Sequence, residues 1–230
     1  MKNSDVIAIL FLSCFLQGCS VSPKSMSDVS DTDFAQAILN SNNRMLMLAV
    51  TSDTVTTNGS ASWLTSDLII TASHIWDNMP KDSTITVVSG RQSTEATLVV
   101  RDPSHIRDIA VVRVKPNGIL KSPLTGRIPV CTKPIIPAQR VIIASGQFRM
   151  LSDSYGSPDK TTILNGMKIS SALTGYFPKR SSGSPVYEVP SLCLAGLISQ
   201  QYRLLAMPDI YMTKIVTADV INSFLKDNNL

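Results

Sequence analysis

Histidine is scarce in this chain: His74 and His105 are the only two in 230 residues. Any chemistry that needs an imidazole rests on one of them. Aromatic residues make up 6% and charged residues 17%. Lysine and arginine are scattered with no basic run, so the net charge of +4 is no nucleic-acid footprint. The apolar run Val6–Leu16 (VIAILFLSCFL) falls well short of the ~20 residues that a membrane-spanning helix needs. The four cysteines lack the spacing of a zinc site. Internal repeats and low-complexity blocks are missing as well. What is there is a hydrophobic content of 43%, which makes the chain globular and excludes disorder. Eleven glycines and thirteen prolines punctuate it with turns, as in an all-β protein.

The first residues read as a targeting segment. Met1-Lys2-Asn3 is weakly positive, and Val6–Leu16 suits the apolar region of a signal peptide. The run ends in Leu16-Gln17-Gly18-Cys19, which resembles the lipobox of bacterial lipoproteins; Gln17 replaces the small residue usual there. The alternative is an ordinary secretory signal with a chance cysteine. The resemblance implies a signal peptide over 1–19, a lipid on Cys19 and a membrane attachment through it. Because Ser20 follows Cys19, it also implies an outer-membrane lipoprotein facing the periplasm. In such an oxidising compartment the two remaining cysteines, Cys131 and Cys193, either pair or stay as buried thiols.

Residues 20–31 are polar and read as a tether, and 32–230 as the folded domain. Thr32–Asn40 has the pattern of a short helix. From Arg44 onward the pattern is β. The runs MLMLAVTS, ASWLTSDLIITAS, STITVVSG, ATLVVRD and DIAVVRV are followed by VCTKPI, QRVIIASGQ, TTILNGMKISSAL, SPVYEV, LCLAGLISQQ and DIYMTKIV. Such a density of short strands predicts a barrel or a sandwich. The Pro- and Gly-punctuated stretch Lys115–Arg127 is the candidate boundary between two halves. Val220, Ile221, Phe224 and Leu225 give a C-terminal helix, about 217–227, its apolar face.

Three short blocks carry the chemistry. His74 closes the run Leu68–His74, placed to act from a rigid edge. Asp108 opens the apolar strand Ile109–Val112, where an unpaired carboxylate is costly and a histidine N–H is a fitting partner. Ser182 lies in the turn Ser182-Gly183-Ser184-Pro185, which taken alone reads as an ordinary surface turn. Together the three residue types have a shared logic. A serine hydroxyl becomes a nucleophile when an imidazole takes its proton, and a carboxylate fixes the tautomer of that imidazole.

In this order the blocks resemble those of the chymotrypsin-like (trypsin-like) serine proteases. Thr71-Ala72-Ser73-His74 looks like Thr-Ala-Ala-His, Asp108–Val112 like Asp-Ile-Ala-Leu-Leu, and Ser182–Pro185 like the Ser-Gly-Ser-Pro of bacterial members. Gly59–Leu64, Gly196–Ser199 and Pro208–Ile215 resemble further strands of the family. The resemblance implies two perpendicular six-stranded β-barrels, about 44–116 and 126–216, with a C-terminal helix. It implies a serine endopeptidase acting on polypeptides, without cofactor or metal, with His74, Asp108 and Ser182 catalytic. The backbone N–H groups of Arg180 and Ser182 would form the oxyanion hole, and Tyr176, Ser199, Gln200, Gln201 and Asp209 would line the substrate site. Arg180 stands where the family has glycine. That departure leaves a second reading, a catalytically impaired pseudo-protease serving as a binding or chaperone module. Ser181 replaces the aspartate of trypsin-type zymogens, which implies no activation by N-terminal cleavage. His105 is the alternative imidazole.

Overall fold

Met45–Thr51 (MLMLAVT) buries every second side chain, the signature of a strand with one face on a core. This strand, β1, opens a barrel closed by β2 (Thr56–Trp63), β3 (Leu68–Thr71), β4 (Thr84–Ser89), β5 (Gln92–Arg101) and β6 (Ala110–Val114), in the order β1-β2-β3-β6-β5-β4. The computed structural model describes residues 36, 40–41, 43–115, 120–135, 139–145, 149–155, 162–164, 167–169, 172–174, 176–189, 191–203 and 211–230. The expected signal peptide with Cys19, the tether and most of the expected helix at Thr32–Asn40 lie outside the described residues.

A second closed barrel holds β7 (Arg140–Ala144), β8 (Arg149–Tyr155), β11 (Ala172–Thr174), β12 (Pro185–Glu188), β13 (Leu194–Arg203) and β14 (Tyr211–Thr217), in the order β11-β14-β13-β12-β7-β8. Between them β9 (Thr162–Leu164) and β10 (Met167–Ile169) pair as a separate hairpin. The chain ends in helix α1 (Ala218–Asp227).

Strands that separate the two barrels are buried on both faces, which is why they read as unbroken apolar runs. In β6, Ala110 and Val112 face the interior of the first barrel, while Val111, and Ile109 just ahead of the strand, join a second cluster. That cluster is shared with Ile142, Tyr187 and Leu197 of the second barrel and with Ile221, Phe224 and Leu225 of α1. Val141, Ile143, Val186 and Ile198 point the other way, into the second barrel. Each such fully buried side chain is worth about 1.5–3 kcal/mol. The shared cluster therefore holds the barrels and the helix as one body.

Three local expectations are corrected. ASWLTSDLIITAS is two strands, because Thr65 Oγ1 accepts hydrogen bonds from the N–H groups of Asp67 and Leu68 and closes a turn between β2 and β3. VCTKPI is no strand of a sheet; it contributes the single bridge Val130 to Leu194. His74 does not close a strand: β3 ends at Thr71, and Ser73–Trp76 turns as a 3-10 helix. At that point the backbone N–H groups of Ser73 and His74 donate to the carbonyl and the carboxylate of Asp108 instead of to a strand partner.

Cys131 and Cys193 form a disulfide, with Cα atoms 5.0 Å apart. It pins the segment ahead of β7 to the β12–β13 hairpin. Hydrogen bonds from Cys131 N–H to Leu194 O (3.0 Å) and from Leu194 N–H to Pro129 O (2.8 Å) run alongside it.

Candidate active site

Two neighbouring strands of the first barrel form the seat for the turn that carries Ser182. The Ser60 N–H donates to the carbonyl of Ser182 at 2.8 Å, and Ser60 Oγ donates to the carbonyl of Arg180 at 3.1 Å. Thr71 Oγ1 donates to the Ser60 carbonyl at 2.6 Å, tying β3 to the same point. From the second barrel, the Gly183 N–H donates to Ile198 O at 2.8 Å. Gly183 is required twice over. Its φ is +81°, and a Cβ there would collide with Thr71 Oγ1 and the Ser60 carbonyl and lie 2.9 Å from Ala72 N. Gly59 makes room in the same way, since a Cβ on it would run into Ile75 and sit 2.9 Å from the Ser182 carbonyl.

The seat brings Ser182 Oγ to 2.7 Å from His74 Nε2. On the other side of the ring, His74 Nδ1 lies 3.0 Å from Asp108 Oδ2 and 3.2 Å from Oδ1. A carboxylate only accepts, so Nδ1 carries the proton and Nε2 is left to accept from the Ser182 hydroxyl. Asp108 is 2% exposed and would be costly there without partners. It has several: besides Nδ1, it accepts from the His74 N–H (2.8 Å) and from Ser199 Oγ (2.5 Å). Its φ of +53° is left-handed, a strained conformation for a residue with a Cβ. Burial, and after it the negative charge of Asp108, pushes the Tyr202 phenol above its ordinary value, so that charge reaches β13.

The turn itself is held by Ser181. Its N–H (3.3 Å) and its hydroxyl both donate to the Pro178 carbonyl, and its own carbonyl accepts from the Ser184 N–H at 2.9 Å. Arg180 sits at φ +77° with its side chain exposed. Among the described residues, neither the Arg180 N–H nor the Ser182 N–H meets an acceptor.

The remaining residues expected at the site divide. Ser199 is 4% exposed, and its hydroxyl is turned to Asp108. Gln200 is exposed and accepts from the Tyr202 hydroxyl, and Gln201 is half-buried next to it. Tyr176 is 55% exposed and packs edge-on against Tyr211, centroids 5.2 Å apart. Asp209 lies outside the described residues. His105 is exposed on the loop between β5 and β6, away from the Ser182 contact. Sequence reasoning missed Ser60, Thr71 and the hydroxyl role of Ser199. Only the Gly-Ser pair ahead of Trp63 hinted at the first of these.

No protein-family profile and no curated protein sequence matches the chain. Solved structures do. The active form of the Rv3671c protease from M. tuberculosis is similar with a TM-score of 0.59 at 16% identity, over 83% of this chain and 82% of that one. The serine endoprotease from Yersinia pestis is similar with a TM-score of 0.58 at 16% identity, over 85% of this chain and 66% of that one. Deg5 has a TM-score of 0.56 at 15% identity, over 85% and 94%. The fold is thus the chymotrypsin-like double barrel, with structural neighbours among the trypsin-like serine proteases.

Proposed function

We propose that the protein is a serine endopeptidase. The observation that carries this reading is the unbroken contact chain from Asp108 through His74 to Ser182, with Oγ at 2.7 Å from Nε2. His74 takes the hydroxyl proton as Oγ attacks a peptide carbonyl. Asp108 holds the ring and stabilises the imidazolium that forms. His74 then passes the proton to the leaving amine, and an acyl-enzyme on Ser182 remains. Water, deprotonated by His74, releases the acid and restores Ser182. The oxyanion is received by the N–H groups of Arg180 and Ser182, and the assignment is supported by their meeting no acceptor among the described residues. Loss of one such donor costs about 10²–10³ in rate. A polypeptide substrate would lie along β13 past Gln200 and Gln201, near the Tyr176–Tyr211 pair.

The same reading places the enzyme in a bacterial envelope, as an outer-membrane lipoprotein held by a lipid on Cys19 and facing the periplasm. The lipobox-like Leu16–Cys19 and the disulfide of Cys131 with Cys193 support it. A digest of a peptide library tests the activity. Wild-type protein should cleave with a definable preference and Ser182→Ala should not; equal cleavage by both would refute the assignment.

A further inference from the structure

We propose that Arg107 is a positioning residue, which ties the C-terminal helix to the loop that presents Asp108. The inference rests on the reading of His74, Asp108 and Ser182 as a hydrolytic site. The loop between β5 and β6 is closed on itself. The Asp102 N–H donates to Ile109 O at 2.9 Å, and the Ile106 and Asp108 N–H groups donate to Pro103 O at 2.9 and 3.4 Å. At its end Asp108 is left-handed, a conformation that persists only where the surroundings over-determine it.

Arg107, the residue before it, supplies much of that determination. Its Nε donates to Asp102 at the start of the loop. Its Nη1 donates to Asp227 at 2.5 Å and to Ser223 Oγ at 3.5 Å, both on α1. The guanidinium carbon lies 5.2 Å from the centroid of the Phe224 ring, which is fully buried in the cluster shared by the two barrels. One planar fork thus joins the two ends of the loop to a rigid anchor, which a lysine cannot do.

A second observation points the same way. Asp227 is the last residue of α1, where the helix dipole disfavours a carboxylate. Its placement there makes sense as a receiver for Arg107. Asp227 is 54% exposed, so the pair contributes little to stability as a charge contact. What it contributes is geometry. The loop is pinned once more at Ser104, whose hydroxyl donates to Asp77 at 2.6 Å, just past the turn that carries His74. Arg107 and Ser104 together set the carboxylate of Asp108 against the imidazole.

The test uses the full chain and the variants Arg107→Ala, Arg107→Lys and Asp227→Asn, with Arg113→Ala as control. Arg113 pairs with Asp67 on the surface, both more than half exposed. Three readouts are taken: kcat and KM on a cleaved peptide, the downfield proton resonance of His74 Nδ1–H, and thermal melting. Arg107→Ala should lower kcat about ten- to a hundredfold with KM little changed, as expected for a misplaced catalytic group. Its Nδ1–H resonance should broaden through solvent exchange. Arg107→Lys should recover only part of the loss, Asp227→Asn should fall in the same direction by less, and Arg113→Ala should match wild type. A folded Arg107→Ala with wild-type kcat and an unchanged resonance would overturn the proposal. If that variant does not fold, the same result in Arg107→Lys and Asp227→Asn would overturn it. Wild-type protein that cleaves nothing yet shows the resonance would strike the endopeptidase reading. The resonance in the variants would then decide the positioning role alone.

Discussion

Replacing Arg180 by glycine tests how the turn that carries Ser182 is held. Arg180 occupies φ +77° where a side chain is disfavoured. The left-handed conformation costs an L-residue about 1–2 kcal/mol, and glycine would not bear that cost. Glycine loses more freedom on folding, which returns about 0.4–1 kcal/mol in the opposite direction. The exposed Arg180 side chain has no partner among the described residues, so little is lost with it. The balance is a gain of roughly 0.5–1 kcal/mol, which in a domain of this size raises Tm by about 1–4 °C. The Arg180 carbonyl on Ser60 and the Ser181 N–H on Pro178 stay in place, so kcat should be unchanged. Arg180→Ala separates backbone from side chain, because it keeps the strain and should melt with wild type. Urea and thermal unfolding measure the stability, and peptide hydrolysis the turn. An Arg180→Gly protein that melts several degrees lower would refute the reasoning, since the side chain would then outweigh the strain.

Three further outcomes follow from the same geometry. Gly183→Ala forces a Cβ against Ser60 and Thr71 at φ +81°, so peptidase activity should fall about a hundredfold or more while the chain still folds. Burial pushes the Tyr187 phenol up from 10.0 to about 12, against the opposing effects of its hydrogen bond with Ser62 and the charge of Arg44. A raised folded-state value means the contribution is intact below pH 10.0 and is lost as pH climbs through about 12, roughly 3 kcal/mol in all. Urea midpoints against pH should show that alkaline loss in wild type and a flatter limb in Tyr187→Phe. Paired Cys131→Ser and Cys193→Ser substitutions open a loop spanning 62 positions, which should cost about 4 kcal/mol in urea unfolding.

The fold was legible where local sequence carries its own instructions. β1 alternates, β6 is buried on both faces, and the spacing of Ile221, Phe224 and Leu225 marks α1. RMLSDSY of β8 does not look like a strand, because it carries the Ser and Asp that strands usually avoid. It is a strand because pairing with β7 and β11 closes the barrel. His74, Asp108 and Ser182 stood out for a similar reason. Each sits in a block whose neighbours, such as Gly183, are demanded by the backbone on the spot. The contacts that seat them were hidden. Ser60 on Ser182, Ser199 on Asp108 and Arg107 on Asp227 join residues far apart in the chain, and only barrel closure and helix docking bring them together. The 3-10 turn at His74 was invisible likewise, because the N–H groups of Ser73 and His74 that open it donate to Asp108, far along the chain.

The most direct measurement is covalent labelling of the folded full chain with a fluorophosphonate, read by intact mass and peptide mapping. One adduct is expected, on Ser182, absent in Ser182→Ala and strongly reduced in His74→Ala. A folded chain that takes no label, or takes it elsewhere, would contradict the endopeptidase reading and favour a protease fold kept for binding.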